Sequence, residues 1–279
     1  MMRSKLHPTG GVKITGSGPI ARLDLDMLRT GLRHEGVLLL RGFEVNPTSF
    51  DAFSIRFAPN LVGHPNLERK VEKDRTLTQA SPGREHFFAH SEMGYLPWQP
   101  DIAWFYCQTP ARKGGETVVY DGVEILPRLT AKTRELFRAH RILFELTFGP
   151  EAWRVFAPDR AALTRHLDAF AGEEFRYTMD AGENLAMRYA TPGIVVTGSG
   201  AEAFCNSLLD TDTPRFEDGS PVPKEAIYDI IGTSEDLARP VQWQAGDVLL
   251  VDNRRFMHGR RIFDGNERLV MVRFANLAR

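Results

Sequence analysis

The chain has 279 residues, 42% of them hydrophobic, which is enough for one sizeable core. Its 35 basic and 36 acidic side chains nearly cancel, and no window concentrates enough Lys or Arg to follow a phosphate backbone, so we expect no nucleic-acid partner. The N-terminal segment lacks the apolar core of a signal peptide, and no stretch approaches the ~18 apolar residues of a membrane span. The two cysteines, Cys107 and Cys205, have no metal-type spacing, which favours packing roles in a reducing cytoplasm.

Short apolar segments in the first half of the chain predict mainly strands. The run "HEGVLLLRGF" (34–43) predicts a buried strand, and a helix should follow with Asn46 as its cap and Pro47 at its first position. Residues 101–108 and 115–121 predict two further strands, whereas residues 131–143 predict a helix. Because strands outnumber helices, we expect a mainly β fold with peripheral helices.

The second half divides into an irregular middle and a regular end. Residues 144–240 mix a predicted helix (159–170), a β-like run (193–198) and a helix near 223–238, which indicates an insertion or lid within a single domain of residues 1–279. The last segment, "WQAGDVLLVDNRRFMHGRRIFDGNERLVMVRFANL" (243–277), predicts a turn, a buried strand, a turn at "FDGN" and a returning strand.

A histidine and a carboxylate lie two positions apart in the aromatic run "FFAHSEMGYLPWQP" (87–100). In an extended segment, His90 and Glu92 point to the same face, with α-carbons roughly 6 to 7 Å apart. That separation lets both side chains reach one metal ion, although such a pair taken alone is more often a chance surface pair. A third ligand has to come from elsewhere in the chain.

His258 in "DNRRFMHGR" is the candidate third ligand, because a run apolar enough to be buried precedes it. Two histidines and a carboxylate form the facial triad that leaves three positions open on non-haem Fe(II); a lone strand histidine is more often simply hydrogen-bonded. If the strands flanking "FDGN" form a hairpin, Arg273 lies on the same face as His258. A buried arginine there favours the far carboxylate of a dicarboxylic keto acid over a salt bridge within the protein.

Taken together, these segments resemble the taurine dioxygenase family of Fe(II)/2-oxoglutarate-dependent oxygenases. The matching segments are "GVLLLRGF", "HSE" (90–92), "PARKGGETVVYD" (110–121), and "WQAGDVLLVDNRRFMHGR" followed by "ERLVMVR", in the family's order along nearly the whole chain. The resemblance implies a double-stranded β-helix, or jelly roll, with iron at its mouth. It implies that His90, Glu92 and His258 bind the metal, and that Arg273 binds 2-oxoglutarate with help from Thr117.

The same resemblance suggests what the reaction is. Relative to Arg273, the arginine that holds a sulfonate in the namesake branch is replaced by Leu269, which disfavours a sulfonate substrate. Glu92 disfavours the halogenating relatives, in which a small residue leaves room for chloride. We therefore expect dioxygen-dependent hydroxylation of an unactivated C–H bond, with release of succinate and carbon dioxide. Desaturation, cyclisation and epoxidation stay open, because they begin with the same hydrogen abstraction.

The substrate is expected to be a small polar molecule, either an amino acid or a natural-product intermediate, free or tethered to a carrier. The candidate substrate contacts are His86, Phe88, Met93, Tyr95 and Asn206. Structural roles compete with these assignments, since Phe88 can fill the barrel and Asn206 can cap a helix. The alternative class is a jelly-roll protein that binds a small acid or a metal without turnover. The sequence does not predict the oligomeric state.

Overall fold

Helices occupy the periphery of the computed structural model, which describes residues 1–7, 10–265 and 268–277. The α-helices are α1 Leu25–Glu35, α2 Pro47–Phe57, α3 Gly122–Arg128, α4 Ala131–Ala139, α5 Pro150–Trp153, α6 Arg160–Asp168 and α7 Lys224–Asp236. Two 3-10 turns lie at Ile20–Arg22 and Leu208–Asp210. Among these residues, no helix is long and apolar enough to cross a membrane.

Strands carry most of the regular structure. In the first half they are β1 Met2–His7, β2 Gly10–Thr15, β3 Val37–Arg41, β4 Asn60–Val62, β5 Leu77–Gln79, β6 Phe87–His90, β7 Ile102–Thr109, β8 Lys113–Gly114 and β9 Thr117–Asp121. In the second half they are β10 Arg141–Phe148, β11 Phe175–Met179, β12 Leu185–Pro192, β13 Ile194–Val196, β14 Glu202–Phe204, β15 Arg215–Phe216, β16 Arg239–Val241, β17 Val248–Asp252, β18 Phe256–Arg260, β19 Phe263–Asp264 and β20 Leu269–Asn276.

Two sheets form the body of the molecule. The major sheet has the order β1-β2-β3-β17-β7-β20-β4, with β5 also paired to β20, and the minor sheet has the order β16-β9-β18-β6. Apolar side chains from both sheets pack in one cluster, including Leu39, Phe105 and Val272 from the major sheet and Val119 and Phe256 from the minor sheet. The architecture confirms the predicted jelly roll with peripheral helices.

The outer face of the major sheet is covered by α2. Phe50, Phe53 and Phe57 of this helix pack on Trp104 of β7, with ring centroids 5.0 to 6.3 Å apart. The predicted start of α2 is confirmed, since Pro47 is its first residue and the Asn46 side chain accepts a hydrogen bond from the backbone amide of Ser49. This packing fixes which side chains of β7 and β20 face outward.

Other predicted elements agree in part with the structure. The helix expected over residues 131–143 ends at Ala139, and β10 begins at Arg141. The middle region contains a third sheet, of order β11-β12-β10-β15, in which the sequence did not predict β10, β11 or β12. Cys107 and Cys205 are buried free thiols.

The expected hairpin at "FDGN" does not form. Asn266 of that turn lies outside the described residues, but the strands on either side are described and belong to different sheets. Strand β18 pairs with β6 and β9 in the minor sheet, whereas β20 pairs with β7, β4 and β5 in the major sheet. The chain therefore crosses from one sheet to the other after β18, and Arg273 does not share a sheet face with His258 as predicted.

Candidate functional site

His90, Glu92 and His258 converge at the inner end of the minor sheet. His90 is the last residue of β6 and lies directly opposite His258 of β18. Glu92 follows in the turn after β6, where Asn253 accepts a hydrogen bond from its backbone amide at 2.8 Å and donates to its carbonyl at 3.0 Å. One ligand atom from each of the three residues lies within 4.8 Å of the others.

Each of the two histidines can offer a ring nitrogen to a metal. The Phe88 carbonyl lies 2.8 Å from His90 Nδ1, and because a carbonyl can only accept, Nδ1 carries a proton, which in the neutral tautomer leaves the lone pair on Nε2. Burial, and after it the neighbouring His90, lower the pKa of His258 to about 4, so the imidazole is neutral at physiological pH. Its Nε2 lies 3.2 Å from Glu92 Oε2.

Glu92 supplies the negative charge. Burial alone would raise the pKa of this carboxyl group, but the Arg69 guanidinium and hydrogen bonds from His258 and His64 hold it well below its usual range. The carboxylate is therefore ionised before any metal arrives. Two neutral imidazole nitrogens and one carboxylate oxygen fit a divalent iron ion and leave part of its coordination sphere open.

A cavity beside the triad contains the groups that could hold an organic anion. Thr117, Arg260 and Arg268 line it together with the three candidate ligands. Arg268 donates to the Gly115 carbonyl at 2.9 Å, and its Nη2 lies 3.5 Å from the Thr117 hydroxyl. The cavity shares Arg260 and Arg268 with a wider cleft of about 350 Å³, so the inner space opens toward solvent.

Among the described residues, no acidic side chain lies within salt-bridge distance of the positively charged Arg268. Burial, and after it the nearby Arg260 guanidinium, lower its pKa to about 10. Arg260 is itself satisfied by the carbonyls of Ser81 and Glu85 and by the ring of Phe87. Two mostly buried cations beside a hydroxyl have the chemistry that suits a carboxylate ligand.

The structure corrects the position predicted for Arg273. On β20, Arg273 is opposite Trp104 and faces α2, while its neighbour Val272 is opposite Phe105 and faces the cavity. The Arg273 guanidinium is bound by Asp51, at 2.6 Å, and by Ser54. The salt bridge that was the alternative for Arg273 is therefore the one formed. Because Leu269 was identified by counting from Arg273, it no longer disfavours a sulfonate substrate.

Strand β6 carries a bulge that changes which aromatic residue faces the triad. His258 pairs with His90, but Arg260 pairs with Phe87, so β6 has an extra residue relative to β18. Phe87 consequently lines the cavity, whereas Phe88 is 42% exposed. His86 packs edge-on against Phe88, and neither of these two predicted substrate contacts lines the cavity beside the triad.

The remaining candidates are divided between core and cleft. Met93 is buried at a positive φ of 52°, and the Asn206 side chain is buried, donating to the Gly193 carbonyl and accepting from the Leu208 amide. These contacts explain Asn206 as a structural residue. For Tyr95, burial and then the carboxylates of Glu92 and Asp210 raise the pKa of the hydroxyl.

Tyr95 also lines a second cleft of about 320 Å³, the outer cleft, whose lining includes none of the three candidate ligands. Asp210 stands at this cleft with one carboxylate oxygen 3.5 Å from His90 Nδ1, and Phe144 packs 6.2 Å from the Tyr95 ring. Glu145 and Arg215 also line the cleft. Sequence reasoning missed Asp210, His64, Arg69 and Arg268, and only Arg268 had a visible signal, as an arginine downstream of His258.

Comparison with protein-family models decides the family. The model described as taurine catabolism dioxygenase TauD, TfdA family matches residues 3–275. The chain belongs to this family. This TauD/TfdA assignment confirms the resemblance seen in the sequence and covers nearly the whole described structure.

Individual relatives of the TauD/TfdA chain are distant. A clavaminate synthase-like protein of Arabidopsis thaliana is 27% identical over 270 residues, covering 86% of this chain and 81% of the relative. The dapdiamide synthesis protein DdaC of Enterobacter agglomerans is 24% identical over 273 residues, covering 86% and 82%. The crystal structure of PvcB from Pseudomonas aeruginosa superposes with a TM-score of 0.64 at 16% identity, covering 97% and 87%.

The class of enzyme follows. PvcB is described as an Fe, alpha-ketoglutarate dependent oxygenase from an isonitrile synthetic pathway, and its likeness to this chain shows a shared fold. With the family assignment and the His-Glu-His cluster, the chain is a dioxygenase that uses Fe(II) and 2-oxoglutarate on a small molecule.

Proposed function

We propose that this TauD/TfdA enzyme hydroxylates a C–H bond of a small polar molecule, with His90, Glu92 and His258 holding Fe(II) and Arg268 holding 2-oxoglutarate. The observation that carries the proposal is the position of Arg268 and Thr117 in the cavity that the triad lines. Arg268 replaces Arg273 in the role predicted from the sequence. When bound, iron and 2-oxoglutarate would supply the oxidising chemistry, in which dioxygen provides one oxygen atom to the substrate and the other to the succinate that forms, with carbon dioxide, from the keto acid.

The chain's own residues would bind and orient the co-substrate. The Arg268 fork and the Thr117 hydroxyl would donate to the far carboxylate, while the keto-acid end would reach toward the triad. Phe105 and Val272 would give this space apolar walls that limit access of water. Arg260 would keep the loop at residues 81–85 over the space through its bonds to the Ser81 and Glu85 carbonyls.

The outer cleft would receive the substrate. Its charged lining contains both signs, with Asp210 and Glu145 against Arg215, and Thr211 and Thr213 add hydroxyls. An amino acid, or an intermediate carrying both an amine and a carboxylate, matches this lining. The names of DdaC and PvcB connect those two proteins with biosynthetic pathways, which supports a natural-product substrate, free or carrier-tethered.

Hydroxylation is the proposed outcome because Glu92 occupies the carboxylate position of the triad. A carboxylate there leaves no place for a halide ligand, so transfer of oxygen is the default end of the reaction. We also propose that the segment from 144 to 240, which includes the β10–β12 sheet, acts as a lid within the single domain. The two buried thiols, Cys107 and Cys205, are consistent with work in a reducing cytoplasm.

Two measurements test the proposal. Anaerobic wild-type protein should develop a visible charge-transfer band only after both Fe(II) and 2-oxoglutarate are added, and His258→Ala should lose it. Absence of the band in freshly reconstituted wild type would favour the alternative, a protein that binds a small acid or a metal without turnover. Mass analysis of a panel of free and carrier-tethered amino acids should then find products that gain one oxygen. Turnover restricted to alkyl sulfonates or aryloxy acids would reject the proposed substrate class.

A further inference from the structure

One of the two carboxylate oxygens of Glu92 is already occupied. Oε1 lies 2.8 Å from His64 Nε2 and 2.9 Å from Arg69 Nη2. The other oxygen, Oε2, faces His258 Nε2 at 3.2 Å. All four side chains are at least nine-tenths buried, so water does not compete freely for these contacts. The two oxygens of the ligand are therefore not equivalent.

The donors to Oε1 can be assigned without ambiguity. The backbone amide of Asn66 donates to His64 Nδ1 at 3.0 Å, so Nδ1 is the unprotonated nitrogen and Nε2 carries the hydrogen that points at Oε1. Arg69 can only donate. Its guanidinium lies 5.5 Å from the Phe274 ring centroid, and the His64 ring lies 5.7 Å from the same ring. Phe274 thus supports both donors from β20.

We propose that Arg69, assisted by His64, is a positioning residue that restricts Glu92 to a single metal-binding oxygen, Oε2. A carboxylate that binds through one oxygen gives the triad three ligand atoms and leaves three positions open, whereas one that binds through both oxygens leaves two. A chelating keto acid needs two positions and dioxygen needs a third. The inference rests on the metal role proposed above for His90, Glu92 and His258.

Glutamate needs this restraint because its side chain has an additional rotatable bond compared with aspartate. Burial and the two donors to Oε1 restrict the freedom that the longer side chain would otherwise keep. The backbone of Glu92 is fixed separately by Asn253, so the restraint at Oε1 acts on the head of the side chain. Without Arg69, Glu92 Oε1 would lose its charged hydrogen-bond donor and would be free to approach the metal.

Cobalt(II) provides a direct test with metal-free protein, because its visible absorption bands report coordination number as well as affinity. Three variants are compared with wild type: Arg69→Met, Arg69→Lys and Arg75→Met. Arg75 is the matched control, since it braces the same loop through the carbonyls of Asn66 and Arg69 without touching Glu92. Isothermal titration gives the dissociation constant of cobalt, first alone and then with 2-oxoglutarate present.

Arg69→Met should weaken cobalt binding by about 10- to 100-fold and alter the visible bands of the saturated site. It should also weaken binding of 2-oxoglutarate to the cobalt form, because one open position is lost. Arg69→Lys, which keeps a charge and a donor, should recover part of the affinity and the wild-type bands. Arg75→Met should leave both unchanged.

Wild-type affinity and bands in Arg69→Met, or an equal change in Arg75→Met, would overturn the inference. If Arg69→Met does not fold, the pair His64→Gln and His64→Leu tests the same oxygen, and equal bands in the two would overturn it as well. Failure of wild-type protein to bind cobalt at all would instead reject the proposed metal site. The two failures are thus distinguishable.

Discussion

Exchanging the two arginines near the end of the chain for methionine should separate co-substrate binding from folding. In Arg268→Met, a carboxylate of 2-oxoglutarate would lose its charged partner in a mostly buried site. Truncating one partner of such a pair costs about 2–5 kcal/mol, which is a rise of about 30- to 4,000-fold in the dissociation constant. Arg273 instead binds Asp51 and Ser54 beneath α2, so Arg273→Met should destabilise the fold by about 3–5 kcal/mol and leave the affinity for 2-oxoglutarate within about twofold.

The assay is an anaerobic titration of the charge-transfer band with 2-oxoglutarate in Fe(II)-loaded protein, paired with urea unfolding of each variant. Arg273→Lys is included in case the methionine variant fails to fold. The reasoning is refuted if Arg268→Met binds 2-oxoglutarate like wild type while a folded Arg273 variant does not. That result would mean that Arg273 reaches the triad in the working enzyme.

Three further predictions concern the triad and its support. Acidification from pH 7.5 to 5 should lower the free energy of unfolding of metal-free wild type by about 2 kcal/mol more than that of His258→Leu. The reason is that His258 gains a proton at pH 5 in the unfolded chain but not in the folded protein, where its pKa is lowered to about 4. Urea unfolding of both proteins at the two pH values checks this. Gly259→Ala should weaken cobalt binding by about tenfold or more. A Cβ at this position, next to His258, would lie 2.4 Å from the Phe87 carbonyl oxygen and would push β6 away from β18. Gly232→Ala is the control, because the space around Gly232 is open. Asn253→Ala should destabilise the protein by about 2–4 kcal/mol in urea unfolding and weaken cobalt binding, because its amide bridges buried backbone groups on both sides of the turn after β6.

Local signals were sufficient for the parts of the fold that depend on short stretches of chain. The apolar run that became β3 and the Asn46–Pro47 start of α2 were legible because burial and capping act over a few residues. The strand β10 could not be predicted in the same way, since residues 141–143 continue the helical pattern of α4. Pairing with β12 makes these residues extended. Tertiary pairing decided that segment over local propensity.

The candidate ligands were predictable and their surroundings were not. His90, Glu92 and His258 are chemically distinctive and closely spaced or strand-embedded. The choice between Arg268 and Arg273 depended on whether β18 and β20 share a sheet, which no local pattern records. Arg69 lies in an irregular segment without periodicity, so nothing in the sequence connected it with Glu92.

The pairing of β6 with β18 has a consequence for how long the folded protein survives. Strand β6 has only four residues and lies at the edge of its sheet, so it is a natural place for local opening. A metal ion bound by His90 on β6 and His258 on β18 would cross-link these two strands and oppose local opening. Free metal at 100 times its dissociation constant adds about 2.7 kcal/mol to the free energy of unfolding. Iron supply would then set the lifetime of this protein against proteolysis as well as its catalytic activity.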